Sequence, residues 1–344
     1  MNSEAEVPFR VIHPKPRLDW LAKHREDILD PDLPIVDAHQ HFYDHPGNVY
    51  LLDDLLADTS GGHNIVATVF MEAFWSHRQD GPVNLRPVGE TEQAVLMARE
   101  AERRGAHTKI CAAIVAHANL ALGSAVEEVL AAHEAIGSDR LRGIRHIVAR
   151  DASFIASFAE PPAFGLMGSS AFRSGFALLR KFNLSFDAWL YHPQLGELID
   201  LARTFPDTKI VLNHIGGPLA IGAYRGQRQA VFVAWIESIK LLATCPNVHV
   251  KLGGMGMIHY GFDFHERPLP ASSEQLSEAW KPYMHTVIET FGVDRCMFEA
   301  NFPPDRATCS YVTIWNAFKR IAAGATAGEK RLLFQDTAAR FYRL

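Results

Sequence analysis

The feature that most constrains the fold is a regular alternation of short apolar runs with longer amphipathic segments. Eight runs rich in β-branched residues begin at Ile35, Ile65, Lys109, Leu141, Leu184, Thr208, Val248 and Arg295. Each interval between runs is long enough for the crossover helix that joins two parallel strands. Alternating strands and helices predict a parallel sheet, and eight strands close a (β/α)8 barrel. We therefore predict an α/β fold, a (β/α)8 TIM barrel, with an open doubly wound sheet as the alternative.

Two other features define the domain organisation. We predict an N-terminal extension over residues 1–33 and a single catalytic barrel domain over residues 34–344, because no linker divides the chain. Two aromatic, glycine-rich stretches, 150–172 and 254–277, follow the fourth and seventh strands. Loops that follow barrel strands lie on the C-terminal face, where barrel enzymes keep their active sites. No Gly-x-Gly-x-x-Gly motif follows an early strand, so a dinucleotide-binding fold has no support.

Composition excludes several function classes. Hydrophobic residues make up 48% and the net charge is −5, which is typical of a globular protein and not of a nucleic-acid binder. No apolar run is long enough to span a membrane, and the first residues lack the pattern of a signal peptide. The four cysteines have no metal-binding spacing and are interpreted as reduced thiols of a cytoplasmic protein. We expect a small-molecule substrate, and a homodimer stays open.

The chain carries 17 histidines, and two of them lie in the first strand, IVDAHQHF. Side chains alternate along a strand, so we predict that Asp37, His39 and His41 share the inner face while Val36, Ala38 and Gln40 face the helices. Two imidazoles at the mouth of a barrel could hold one divalent ion. The alternative is a pair of hydrogen-bonded histidines under a loop.

Polar side chains also close three later strands. His192 ends the fifth run, His214 ends the sixth and Asn301 ends the eighth. The carboxyl ends of parallel strands meet at one end of a barrel, so these side chains are predicted to converge there with His39 and His41. The convergence predicts a shared functional site.

This ordered set of residues resembles the amidohydrolase superfamily, and the resemblance covers residues 33 to 344. The superfamily pattern is His-x-His on the first strand and one histidine each on the fifth and sixth, which matches His39, His41, His192 and His214. The motif RGIRH on the fourth strand and the eighth-strand motif NFPPD are similar to the amidohydrolase-related branch of lactonases and certain decarboxylases. The resemblance implies one divalent ion, zinc or manganese, on His39, His41 and His192. It leaves a metal-free mechanism open, because some lactonases of this branch use only histidines and an arginine.

The sequence departs from the family pattern at the eighth strand. The family usually has an aspartate there that binds metal and acts as base, whereas this chain has Asn301. A neutral amide orients water but does not accept a proton near pH 7. We predict that Asp305 serves as base while Asn301 positions water, with Glu72 or a histidine as alternatives. The decarboxylases tend to carry glutamate where this chain has Asp37, which disfavours decarboxylation.

The remaining candidates would bind substrate. Arg145 matches an arginine that lactonases of this branch use to grip a carboxylate, and guanidinium geometry suits that contact. Glu72, Lys251 and Tyr191 are further candidates for substrate binding, and His214 would orient the water or stabilise the oxyanion. We expect a hydrolase that opens a lactone of a small carboxylated compound. The alternatives are a metal-dependent decarboxylase or hydratase, an amide or phosphoester hydrolase, and a non-catalytic binding barrel.

Overall fold

A computed structural model describes residues 9–156 and 161–344. Eight parallel strands form one sheet in which each strand lies beside its sequence neighbours. They are β1 (Ile35–Gln40), β2 (Ile65–Met71), β3 (Lys109–His117), β4 (Leu141–Arg145), β5 (Ser185–Ala188), β6 (Ile210–Leu212), β7 (Val248–Leu252) and β8 (Cys296–Phe298). The amides of His41 and Asn301 donate to the carbonyls of Phe302 and His39, at 2.8 and 2.9 Å. These bonds join the end of β1 to the segment after β8, so the predicted TIM barrel is confirmed.

Helices accompany the strands, as the alternation of apolar runs and amphipathic segments predicts. They are α1 (Leu18–Leu21), α2 (Leu52–Thr59), α3 (Val88–Arg103), α4 (Val126–Gly137), α5 (Ser170–Ala177), α6 (Leu195–Thr204), α7 (Arg228–Ala243), α8 (Ser273–Phe291), α9 (Tyr311–Ile321), α10 (Ala327–Arg331) and α11 (Thr337–Tyr342). Helix α8 begins at a capping box in which Ser272 and Gln275 satisfy each other's backbone amides. No helix in the described ranges is both long and apolar enough to cross a membrane.

Two apolar clusters lie on the two faces of the sheet. The larger one packs alternate strand residues such as Ile144, Phe186 and Phe298 against the helices. The smaller one is the inner core, and it includes Val69, Val115, Val211, Met297, Phe341 and Tyr342. Because α11 contributes Phe341 and Tyr342 to this inner cluster, the C-terminal helix closes the floor of the barrel.

The predicted alternation along β1 is wrong for three residues. Val36 and Ala38 pack in the inner cluster, while Asp37 accepts hydrogen bonds from the Tyr311 hydroxyl and the Ala300 amide, both at 2.9 Å. The pairing of β1 with β2 shifts register twice, once before Val36 and once after Asp37. The first shift adds a residue to β2 and the second adds one to β1, so strict alternation does not hold along β1.

The loops at the C-terminal ends of the strands build the mouth of the barrel. A hairpin of Tyr43–His45 and Asn48–Tyr50 follows β1. A short strand, Phe154–Ala156, follows β4 and pairs in parallel with the N-terminal strand Phe9–Val11. Short helical turns at Ile258–Tyr260 and Phe264–Glu266 follow β7. The predicted loop after β4 includes residues 157–160, which lie outside the described residues.

Candidate active site

A cluster of buried polar and charged side chains occupies the C-terminal ends of the strands. Its members are all nearly inaccessible to solvent: His39, His41, Glu72, Arg145, Asp187, His214, Lys251, Glu299, Asn301 and Asp305. Buried charges are unfavourable unless they are paired or hydrogen-bonded. The contacts among these groups therefore stabilise the buried charges, and they also determine which atoms can react.

Glu299 is the centre of this cluster. Its Oε1 lies 2.6 Å from Nδ1 of His214 and accepts the His214 backbone amide at 3.0 Å. Its Oε2 lies 2.8 Å from Nδ1 of His39. Burial lowers the pKa of His214, and it lowers that of His39 well below the usual range. Both imidazoles are therefore neutral near pH 7 and act through lone pairs and N–H groups.

The hydrogen bonds of His41 fix the proton positions around His39. Nδ1 of His41 lies 2.9 Å from the carbonyl of Met71, which can only accept, so Nδ1 carries the proton and Nε2 has a lone pair. Nε2 of His39 lies 3.1 Å from that lone pair and so donates to it. By this assignment Nδ1 of His39 carries a lone pair, and it faces Oε2 of Glu299. This Oε2 atom accepts no hydrogen bond from the described residues. The ammonium of Lys251, whose Nζ lies 3.3 Å from Nδ1 of His39, is the cation that the structure places beside these two electron-rich atoms.

His39, His214 and Glu299 offer donor atoms that all lie within 4.8 Å of one another. Two imidazole nitrogens and one glutamate are a donor set of catalytic zinc sites. These residues therefore fit one divalent ion in two respects. Their donor atoms are of the right chemical type, and Oε2 of Glu299 accepts no hydrogen bond from the described residues. Of the predicted ligand set, only His39 belongs to this group.

Two buried ion pairs flank His39. Nε of Arg145 donates to Oε1 of Glu72 at 2.6 Å, and Nη1 of Arg145 lies 3.4 Å from Nε2 of His39. On the other side, Nζ of Lys251 lies 2.8 Å from Oδ1 of Asp187 and 3.3 Å from Nδ1 of His39. The guanidinium and the ammonium therefore act as fixed positive charges on either side of the histidine.

A cavity of about 510 Å³ opens directly above this cluster. Its polar lining includes His41, Arg145, His214 and Asn301. Its apolar and aromatic lining is formed by Tyr43, Phe74, Ile147, Trp189 and Met257. An apolar cavity with a few convergent polar groups is typical of a small-molecule site.

The segment after β7 allows two site residues to approach the backbone closely. An added Cβ at Gly254, whose φ is +70°, would overlap the imidazole of His214, and one at Gly256 would overlap the carboxylate of Asp305. Only glycine leaves room for both side chains, so this glycine-rich turn is part of the construction of the site.

Comparison with known proteins identifies the family. The amidohydrolase family model matches residues 36–344, nearly the whole barrel. The chain belongs to the amidohydrolase family. An uncharacterized protein of Sinorhizobium fredii, y4mH, is 32% identical to this amidohydrolase over 337 residues, which are 91% of this chain and 99% of the relative.

Two further proteins resemble this amidohydrolase more distantly. An L-fucono-1,5-lactonase of Burkholderia ambifaria is 26% identical over 166 residues, which are 47% of this chain and 51% of the lactonase. A crystal structure of an amidohydrolase from Burkholderia multivorans with bound zinc shares the fold at 21% identity, with a TM-score of 0.71 over 90% of this chain and 99% of that one.

The structure brings most of the predicted site residues of this amidohydrolase together. His41, Arg145, His214 and Asn301 line the cavity, with His39 directly beneath them. Glu72 and Lys251 belong to the buried cluster as partners of Arg145 and Asp187. The Tyr191 hydroxyl lies 3.2 Å from Nε2 of His259, and its ring lines a neighbouring cavity of about 320 Å³.

Two predicted residues lie apart from the cavity wall. Nδ1 of His192 accepts a hydrogen bond from the Leu219 amide at 3.3 Å, and its ring packs 4.9 Å from that of Tyr224. Asp305 lies behind Asn301, whose Nδ2 donates to its Oδ2 at 2.6 Å. Burial raises the pKa of Asp305 well above its usual range. The roles of His192 as a metal ligand and Asp305 as a base stay predictions.

Two members of the cluster were not singled out from the sequence. Glu299 precedes Asn301 by two residues on the eighth run, and Asp187 lies in the fifth run. The period of two along a strand places Glu299 on the face of Asn301, which is the signal that could have identified it. Asp187 offers no comparable motif, because its partner Lys251 is remote in sequence.

Proposed function

We propose that this amidohydrolase opens a lactone of a small carboxylated compound by attack of water on the ester carbonyl. The observation that carries the proposal is the pair of His214 and Glu299 at the base of the cavity, beside a fixed arginine. Lactone opening needs a group that takes a proton from water and groups that stabilise the oxyanion. The cluster supplies both.

The proton of the attacking water would be taken at His214. Glu299 holds the Nδ1 proton of this histidine, so Nε2 is the nitrogen left to accept a proton. The carboxylate then stabilises the imidazolium that forms. Asn301 would position the water from the cavity wall, where Asp305 holds its Nδ2 and its side chain also hydrogen-bonds to His41.

A divalent ion is the other way in which this cluster could activate water. His39, His214 and Glu299 would hold it, and the ion would polarise a carbonyl and lower the pKa of bound water. The zinc bound in the Burkholderia multivorans amidohydrolase supports this proposal by analogy of fold.

Arg145 would bind the substrate carboxylate or the oxyanion. Glu72 occupies its Nε and, through its backbone carbonyl, its Nη2, which fixes the plane of the guanidinium. Nη1 is the nitrogen nearest His39 and is therefore directed into the cluster. The resemblance of part of the chain to an L-fucono-1,5-lactonase supports a lactone as substrate.

The proposal is tested by elemental analysis of the purified protein together with a panel of lactones. Acid release from a lactone, lost in His214→Gln, is the expected result, and one equivalent of zinc or manganese with loss on chelation would assign the ion-dependent form. Turnover without metal would assign the form in which His214 alone activates water. Release of CO₂ from carboxylated rings without lactone opening, or binding without turnover, would overturn the proposal.

A further inference from the structure

The N-terminal segment runs across the mouth of the barrel and is fastened to loops from three strands. Phe9–Val11 pairs with Phe154–Ala156 in the loop after β4. Nζ of Lys15 donates to the carbonyl of Pro46 in the hairpin after β1, at 2.7 Å. Farther along, the side chains of Arg17 and Trp20 donate to the carbonyls of His265 and Arg267 in the loop after β7. The segment therefore bridges the mouth and has contacts on opposite sides of it.

The middle of this bridge lines the catalytic cavity. Ile12, His13 and Pro14 border the same cavity as His41 and His214. The ring of His13 packs 5.0 Å from that of His259, which in turn contacts the Tyr191 hydroxyl. His13 is half-buried, whereas Ile12 is 73% exposed at the rim. The cavity thus has a catalytic floor made by the barrel and a roof made by residues 12–14.

We propose that residues 12–14 determine substrate size and that His13 contacts the end of the substrate remote from the scissile bond. The identity of the substrate rests on the proposed function. The position of the roof is independent of it. A cavity of about 510 Å³ that is bordered by residues 12–14 suits a single-ring lactone with polar substituents, and we expect a fused second ring to contact the roof. An imidazole at the roof suits a hydroxyl or carboxylate substituent, because it donates or accepts a hydrogen bond.

The first test uses point variants of the full chain. His13→Ala removes the polar contact and opens the roof, and we expect KM for single-ring lactones to rise about tenfold with little change in kcat, the equivalent of one lost hydrogen bond. In the same variant, the ratio of kcat/KM for a two-ring lactone to kcat/KM for a single-ring lactone should rise about tenfold over wild type. Ile12→Trp narrows the opening at an exposed position and should shift that ratio in the opposite direction. His107→Ala, an exposed histidine remote from the mouth, is the matched control.

A second measurement does not depend on activity. Trp189 lines the cavity and is 3% exposed, so its fluorescence reports access through the roof. Quenching by acrylamide, taken as the difference between each protein and its Trp189→Phe counterpart, should increase at least about twofold in His13→Ala and stay unchanged in His107→Ala.

The two measurements separate the two proposals. If the wild-type chain opens no lactone, the proposed function fails, and increased Trp189 quenching in His13→Ala still supports the roof. Unchanged quenching in His13→Ala overturns the roof whatever the activity. A two-ring to single-ring ratio that is unchanged in both His13→Ala and Ile12→Trp also overturns it.

Discussion

Arg145 and Glu72 form a hydrogen-bonded ion pair with an Nε to Oε1 distance of 2.6 Å, and both side chains are almost fully buried. A buried charge that loses its partner is strongly destabilising. We therefore expect Glu72→Gln to lower the free energy of unfolding by about 3 kcal/mol, as measured by urea denaturation. The control is Glu92→Gln, which breaks the half-exposed pair with Arg78 and should cost less than about 1 kcal/mol. Equal stability of the two variants would contradict the prediction.

Removal of the Glu299 charge should abolish most of the activity. In Glu299→Gln the His214 imidazolium is no longer stabilised, so we expect kcat to fall at least about a hundredfold. The matched control is Asp58→Asn, a carboxyl that accepts the Tyr50 hydroxyl far from the cavity and should leave kcat within about twofold. Steady-state kinetics on the best lactone of the panel provide the measurement. Retention of full activity by Glu299→Gln would exclude this carboxylate from catalysis.

Zinc titration distinguishes the ligands found in the structure from those predicted in the sequence. Glu299→Ala removes a donor of the His39, His214 and Glu299 group and should weaken zinc binding by about a hundredfold or more. His192→Ala should leave the affinity within about threefold, because His192 is engaged with Leu219 and Tyr224. Competition with a chromophoric chelator measures both. The reverse order of effects would restore His192 as a ligand.

Acid should destabilise the folded protein through its buried histidines. Burial lowers the pKa of several imidazoles to about 4 or below: His13, His63, His117, His133, His146, His192 and His249. Below pH 6.5 the unfolded chain binds protons at these sites that the folded chain does not, so stability falls as the pH decreases from 6.5 toward 4. Burial also raises the pKa of four carboxyls, which acts in the opposite direction: Asp37 to about 7, Asp58 and Glu90 to about 6, and Asp305 well above its usual range. The histidines outnumber these carboxyls, so we expect their effect to dominate.

Urea denaturation at pH 7 and pH 5 measures this dependence directly. We expect a lower free energy of unfolding at pH 5, and the difference should shrink in His133→Gln, whose imidazole is buried between Thr91 and the His117 carbonyl. Equal stability at the two pH values would show that these histidines do not control acid unfolding.

The barrel could be predicted from local pattern because each strand and helix is encoded by nearby residues. The eight apolar runs coincide with β1 to β8, and helices such as α3 and α4 lie in the amphipathic segments between the runs. Within β1 the same reasoning fails, because the side-chain direction of Asp37 depends on register shifts against β2. A bulge is a property of two paired strands and leaves no clear mark in one of them.

The sequence by itself determined the architecture, the family and the end of the barrel at which His39, His41, His214 and Asn301 meet. Strand ends are local features, and the closure of eight parallel strands brings them together without further information. Only the tertiary structure decided which groups are partners: Glu299 between two histidines, Asp187 with Lys251, and residues 12–14 over the cavity. These relationships join residues far apart in the chain, and the strength of a buried charge or hydrogen bond depends on distance and desolvation in three dimensions.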